Sequence, residues 1–149
     1  MANGVSYGGV AIAFRTAGIS LKEMRIPNPN NFEVLVATGS MVGQPRRIAV
    51  IAAYMPPGDD PARGRACLAH INEAVAEVKS KLDEPLLVIA GDFNQWDAAG
   101  ALEDFVDLKE VEVGPSRGTR SIDRLFINFT DSIEAVSYTH LTLPTIYSV

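Results

Sequence analysis

The sequence predicts an α/β protein in which one strong helix connects two central strands of a sheet. Segments 46–57 and 86–91 are short apolar runs typical of buried strands. Between them, apolar residues recur at spacings of three and four, as on one face of a helix. The 149 residues, 47% hydrophobic and 21% charged with a mean hydropathy of +0.10, suit one globular domain with a real core.

Three strands are expected before the helix. The first is the apolar run 8–15, which begins with a pair of glycines. Segment 31–40 alternates loosely between apolar and polar residues, and a turn joins it to segment 46–54. These two segments should form a hairpin, and the second is apolar on both faces, which places it at the centre of the sheet.

The helix is expected over residues 61–82. Asp59 or Asp60 can cap the start of this helix, and Pro61 lies in its first turn, where proline is well tolerated. Cys67 borders the apolar face and should be a small core residue, whereas His70 falls outside that face and should be solvated. The apolar face itself consists of Leu68, Ile71, Val75, Val78 and Leu82.

Strands are also expected after the helix. Segment 86–91 should be a buried strand next to 48–54, with the helix packed on the outer face of their sheet. Segment 101–108 should be a short helix or a turn. Segment 121–129 is rich in aromatic and β-branched residues, which favours a strand.

The composition limits the function classes. No apolar run approaches the roughly 20 residues needed to span a bilayer. The N-terminus has no signal-peptide pattern, and the single cysteine excludes an internal disulfide, so we expect an intracellular protein, nuclear or cytoplasmic. No obligate protein partner is indicated. The net charge of −5 weighs against nucleic-acid binding, which basic proteins perform more often.

The segment "VIAGDFNQWD" (88–97) carries the most informative polar residues. Because side chains alternate along a strand, Asp92 and Asn94 should point to one side at the strand end, with Phe93 turned inward. A carboxylate and an amide placed there can accept a proton from water and orient an oxyanion. An Asx-turn, in which both side chains merely bond the backbone, explains the segment equally well.

Four segments together resemble the endonuclease/exonuclease/phosphatase family, and most closely the endonuclease domain of non-LTR retrotransposons. They are "YGGVAIAFR", "IAVIAAYMPP", "LLVIAGDFNQW" and "GTRSIDRLFIN", which occur in this order within residues 7–130. The resemblance implies a DNase I-like layered sandwich of two mixed β-sheets flanked by helices. It also implies a Mg²⁺-dependent phosphodiesterase whose partner is DNA.

The resemblance also implies roles for single residues. Tyr54 would contact the phosphate, Asp92 would position the attacking water and hold metal weakly, and Asn94 would stabilise phosphate oxygens. Asp123 would orient a catalytic histidine. An ordinary rim position for Tyr54, and a surface ion pair of Asp123 with a neighbouring arginine, remain open. A basic cluster suits a phosphate-lined groove despite the acidic net charge: Arg117, Arg120 and Arg124.

Parts of the family pattern are missing from the chain. No metal-binding glutamate segment precedes the first motif, and the only late histidine, His140, follows threonine rather than aspartate. The uncharged tail 136–149 resembles translated sequencing adapter. We therefore expect a partial domain over 1–135, incomplete at both ends, a non-native tail over 136–149, and a chain that is itself inactive.

Two other functions stay open at this point. The same fold hosts phosphatases and lipid phosphodiesterases that stand alone, so the substrate does not follow from it. A truncated open reading frame without function is the remaining alternative.

Overall fold

A computed structural model describes residues 9–58, 60–94, 96–97, 102, 107–112 and 123–129. Within them, six strands form one mixed sheet in the order β1-β2-β3-β4-β6-β5. Only β3 and β4 are parallel, and the other neighbours are antiparallel. The elements are β1 (Ile19–Glu23), β2 (Glu33–Met41), β3 (Ile48–Tyr54), α1 (Pro61–Lys81), β4 (Leu86–Asp92), β5 (Lys109–Val111) and β6 (Asp123–Ile127).

The centre of the sheet confirms the predicted arrangement. β2 and β3 form the expected antiparallel hairpin, and β3 and β4 are parallel neighbours joined by α1. Parallel strands need a crossover of this kind, because a tight turn cannot reverse the chain twice. The described sheet with α1 on one face agrees with the predicted α/β DNase I-like layering.

The helix begins and ends where its sequence signals predict. The Asp60 carboxylate accepts hydrogen bonds from the backbone N–H groups of Ala62 and Arg63, at 3.1 and 3.4 Å. These bonds satisfy two of the donors that every helix start leaves without an intrahelical partner. Leu82 ends the helix by donating its N–H to the carbonyl of Val78.

The main core lies between α1 and one face of the sheet. Ile51 and Ile89, on neighbouring central strands, are fully buried there. Phe93, directly after β4, is also fully buried and meets Phe126 of β6 edge to face at 6.1 Å between ring centroids. Cys67 is buried in this core, as predicted.

Two predictions about single segments are wrong. Residues 9–15 form no strand, although their apolar run predicted one. A strand needs a partner, and β1 occupies the outer edge of β2 that such a run would use. His70 is not solvated but only 6% exposed, because Phe32 covers it at 5.8 Å between ring centroids.

Other features lie at the margins of the sheet or outside the described residues. β1 and β5 were not predicted; they are short edge strands with weak apolar patterns. Most of 101–108 and all of the tail 136–149 lie outside the described residues. Among the described residues, no helix combines the length and apolarity required to cross a membrane.

Candidate active site

Three of the predicted site residues lie side by side at one end of the sheet. Tyr54, the last residue of β3, is in register with Asp92, the last residue of β4. Asp92 is in turn in register with Asp123, the first residue of β6. Adjacent strands are about 4.8 Å apart, so this row spans roughly 10 Å. We call Tyr54, Asp92 and Asp123 the strand-end row.

The strand-end row lies on the sheet face opposite α1. Phe93 and Phe126 belong to the helix side, and alternation along the strands turns Asp92 and Asp123 the other way. All three members of the row are half-buried, so each can pack its base against the sheet while it reaches solvent. A hydroxyl and two carboxylates therefore share one accessible surface.

A fourth residue extends the row and was not predicted. Glu33, the first residue of β2, is in register with Tyr54 on the side away from Asp92. It adds a third carboxylate, two strands from Asp92. The hairpin register would have identified it, but sequence patterns locate hairpins better than they locate registers.

Asn94 follows β4 in the left-handed backbone region, with φ +47°. Its backbone N–H donates to the Asp92 carboxylate at 2.9 Å, and its side-chain amide donates to the backbone carbonyl of Met55. Both side chains thus bond the backbone, as the Asx-turn alternative requires. The turn also keeps the Asp92 carboxylate at the strand end. Asp92 can therefore bond the backbone of the turn and still take part in chemistry at this surface.

The loop after Tyr54 is tied to the turn after Asp92 by several hydrogen bonds. The N–H of Met55 donates to the carbonyl of Asp92 at 2.9 Å, and the indole N–H of Trp96 donates to the carbonyl of Pro56 at 3.3 Å. With the bond from Asn94, these contacts hold the end of β3 against the end of β4. Trp96 had no predicted role, because only the tertiary contact reveals its partner.

The predicted basic cluster is only partly described. Arg124 lies on the helix side of β6, where its guanidinium stacks over Phe126 at 5.7 Å and forms two 2.6 Å bonds to Glu110. The hydrogen bonds that Arg124 donates to the Glu110 carboxylate raise the pKa of Arg124. Arg124 therefore lies on the face opposite the strand-end row, which corrects its predicted place in a phosphate groove. Arg117, Arg120 and His140 lie outside the described residues.

The strand-end row supplies oxygen ligands of the type that Mg²⁺ prefers. Among the described residues, no three His, Cys, Asp or Glu side chains are grouped closely enough to hold a metal. Mg²⁺ usually binds through one or two carboxylates together with substrate phosphate and water. The neighbouring carboxylates of Asp92 and Asp123 fit that requirement, although they do not form a closed protein cage.

Comparison with known proteins identifies the fold. No family model and no curated protein sequence matches the chain. Among solved structures, the human Nocturnin catalytic domain with bound sulfate is 13% identical, with a TM-score of 0.59 over 77% of this chain and 50% of that chain.

Two further structures agree with it. An endonuclease/exonuclease/phosphatase family protein from Bacteroides thetaiotaomicron is 11% identical, with a TM-score of 0.55 over 76% of this chain and 53% of that chain. D. rerio TDP2 complexed with a single-strand DNA product is 14% identical, with a TM-score of 0.52 over 76% of this chain and 54% of that chain. The chain spans about half the length of these structures. The chain thus has the DNase I-like fold of the endonuclease/exonuclease/phosphatase proteins.

Proposed function

We propose that this chain belongs to a metal-dependent phosphodiesterase that cuts DNA, as in the endonuclease domain of a retrotransposon. The alignment of Tyr54, Asp92 and Asp123 in one row across three strands carries the proposal. The four sequence motifs and the fold support it. The TDP2 structure with a DNA product makes DNA a reasonable substrate for this fold, without assigning it to this chain.

The residues of the row have complementary chemistry for phosphodiester hydrolysis. The Asp92 carboxylate accepts a proton from the attacking water, or holds that water in line with phosphorus. The Tyr54 hydroxyl donates a hydrogen bond to a non-bridging phosphate oxygen on which negative charge develops. Asn94 reaches the same phosphate once its amide exchanges the Met55 carbonyl for an oxygen of the substrate.

Asp92 and Asp123 would hold the metal. Like charges on directly opposite strand positions are destabilising, and a divalent cation held by these two carboxylates would offset that repulsion. When bound, Mg²⁺ neutralises charge on the phosphate. Asp123 can also serve the role that the resemblance implies, which is to orient a catalytic histidine.

The test uses residues 1–135 with the two segments that the family pattern requires added, a glutamate-bearing strand before them and a Ser-Asp-His segment after them in place of 136–149. We expect this protein to nick supercoiled plasmid DNA in Mg²⁺ and to stop when EDTA removes the metal. Asp92→Ala or Asn94→Ala should reduce the rate by about a hundredfold or more, the usual scale for a lost base or oxyanion donor.

Arg124→Gln is the matched control, because Arg124 lies on the other face of the same strands. It should leave the rate within about twofold, since it touches neither the phosphate nor the metal. A phosphate monoester offered in place of DNA tests the phosphatase alternative. Faster turnover of the monoester, or full activity of Asp92→Ala, would contradict the proposed function.

A further inference from the structure

Trp96 contacts three separate elements around one end of the sheet. Its backbone N–H donates to the carbonyl of Phe93 at 3.0 Å, which fixes it to the turn after β4. Its indole N–H donates to the carbonyl of Pro56, in the loop after β3, at 3.3 Å. Its six-membered ring lies directly against Gly64 of α1. One residue therefore joins the segments that follow the two parallel strands to the helix that packs on their sheet.

The contact of the ring with α1 depends on a glycine. A Cβ at Gly64 would lie 2.3, 2.4 and 2.6 Å from three ring carbons of Trp96, far inside contact distance. Glycine is unfavourable within a helix, because folding restricts its backbone more than that of any other residue. At this position the missing side chain lets the ring reach the helix. The ring is therefore held from the helix side as well as through its N–H.

The loop after β3 has few backbone donors with which to hold its own conformation. Tyr54 is followed by Met55 and then by two prolines, which have no N–H. Met55 is bonded to the end of β4 and the turn after it through its N–H and its carbonyl. The carbonyl of Pro56 is the next group of the loop to meet that turn, and its donor is the indole of Trp96. Loss of this bond would release the loop two residues after Tyr54.

A cavity beside the indole gives the ring room to move. The cavity measures about 320 Å³ and lies between the start of α1 and the loop after β3. Trp96, Pro56 and Gly64 all form part of its wall. Close packing therefore does not fix the indole on this side. Its position depends on the bond to Pro56 and on the contact with Gly64.

We propose that Trp96 is a positioning residue for the strand-end row: it fixes the loop after β3 on the turn after β4 and so places the Tyr54 hydroxyl relative to Asp92. This inference rests on the proposed function, in which that hydroxyl binds the phosphate. Trp96 acts from the helix side of the sheet and would touch neither the phosphate nor the metal. Its effect should appear in kcat and not in KM, because orientation of the reacting groups acts on the chemical step.

Two substitutions disturb Trp96 in different ways. Trp96→Phe removes the indole N–H, and Gly64→Ala displaces the ring without removing any hydrogen-bonding group. In the protein completed by the two added segments, each should lower kcat for DNA nicking by about tenfold and leave KM within about twofold, since a misplacement of about 1 Å can cost up to roughly a hundredfold. Full kcat in either folded variant would overturn the inference.

Val78→Ala is the matched control for a general loss of stability. Val78 is fully buried on the same helix, 14 residues and thus about 21 Å along its axis from Gly64. The substitution should lower the midpoint of thermal unfolding but leave kcat within about twofold, at a temperature where far-UV circular dichroism shows every variant folded. A loss of kcat as large as that of Trp96→Phe would mean that Trp96 contributes stability alone, which contradicts a positioning role.

A double variant tests whether Trp96 acts through Tyr54. Tyr54→Phe removes the hydroxyl and should itself lower kcat. In that background Trp96→Phe should cost less than about twofold, because the group that it positions is already gone. Coupled residues show such non-additivity, whereas the effects of independent sites add. An equal loss of kcat from Trp96→Phe with and without the Tyr54 hydroxyl would overturn the inference.

The surroundings of Tyr54 can also be measured without activity. The 149-residue protein is labelled with fluorotyrosine, and Tyr54→Phe identifies the fluorine resonance of Tyr54 among those of the four tyrosines. This resonance should shift in Trp96→Phe and in Gly64→Ala but not in Val78→Ala. An unshifted resonance in the first two variants would overturn the inference whatever the activity. A shifted resonance, together with a completed protein that leaves DNA intact, would overturn the proposed reaction and support the positioning role.

Discussion

Asn94 should stabilise the protein through its backbone conformation as well as its side chain, and two substitutions separate these effects. At φ +47°, Asn94 lies in a region that asparagine tolerates and alanine does not. Its amide also donates to the carbonyl of Met55, a residue that is 1% exposed. Asn94→Ala loses both advantages, whereas Asn94→Gly loses only the hydrogen bond.

The expected magnitudes follow from these two contributions. A left-handed conformation costs a residue with a Cβ about 1–2 kcal/mol. A lost hydrogen bond costs about 1 kcal/mol, and more when a buried carbonyl loses its donor. We therefore expect Asn94→Ala to lower the free energy of unfolding by about 2–3 kcal/mol. Asn94→Gly should lower it by about 1 kcal/mol less, because glycine adopts positive φ without strain.

Urea unfolding followed by far-UV circular dichroism measures both values without depending on the nearby tryptophan. The slope with urea should not change, since the folded and unfolded states keep their exposed areas. Equal losses for the glycine and alanine variants would refute the backbone argument. No loss in either variant would show that the bond to Met55 contributes nothing to stability.

Three further predictions concern the sheet, the thiol and the metal. Gly91→Ala should lower the free energy of unfolding by at least about 3 kcal/mol, because its Cβ would lie 1.9 Å from the carbonyl oxygen of Ala53. Thermal unfolding measures this loss, and a smaller loss would contradict the prediction. Burial raises the pKa of Cys67 from its ordinary value of 9.0 to about 11. The buried neutral thiol therefore contributes fully to the free energy of unfolding below pH 9.0, and this contribution is lost as the pH rises through about 11. That contribution amounts to roughly 2–3 kcal/mol. Urea titrations should therefore show that the free energy of unfolding of the parent, relative to that of Cys67→Ala, is lower at pH 11 than at pH 8 by this amount, and an unchanged difference would contradict the prediction. Mg²⁺ at millimolar concentration should bind to Asp92 and Asp123 in the folded protein and so raise the midpoint of thermal unfolding. A similar rise in the double variant Asp92→Asn/Asp123→Asn would exclude these two residues as the ligands.

The sequence alone was enough to predict the central unit of the fold. The apolar periodicity of α1, its Asp60 cap and the apolar runs of β3 and β4 are local properties, and the structure contains all of them. The edge strand β5 escaped prediction because a strand of three residues has no period to recognise. The apolar run 9–15 was wrongly predicted to be a strand, because an apolar run forms a strand only where it has a pairing partner.

Local sequence could nominate Tyr54, Asp92 and Asp123, but it could not align them. Their common row depends on the registers of two strand pairs, which sequence motifs do not encode. Arg124 lies on the other face because it directly follows Asp123 in β6, and successive side chains of a strand alternate between the two faces. Burial of His70 under Phe32, and the contact of Trp96 with Gly64, likewise join segments far apart in sequence. Periodicity and capping determined which elements form, because these act within a few residues, whereas pairing and packing between distant segments decided which side chains meet.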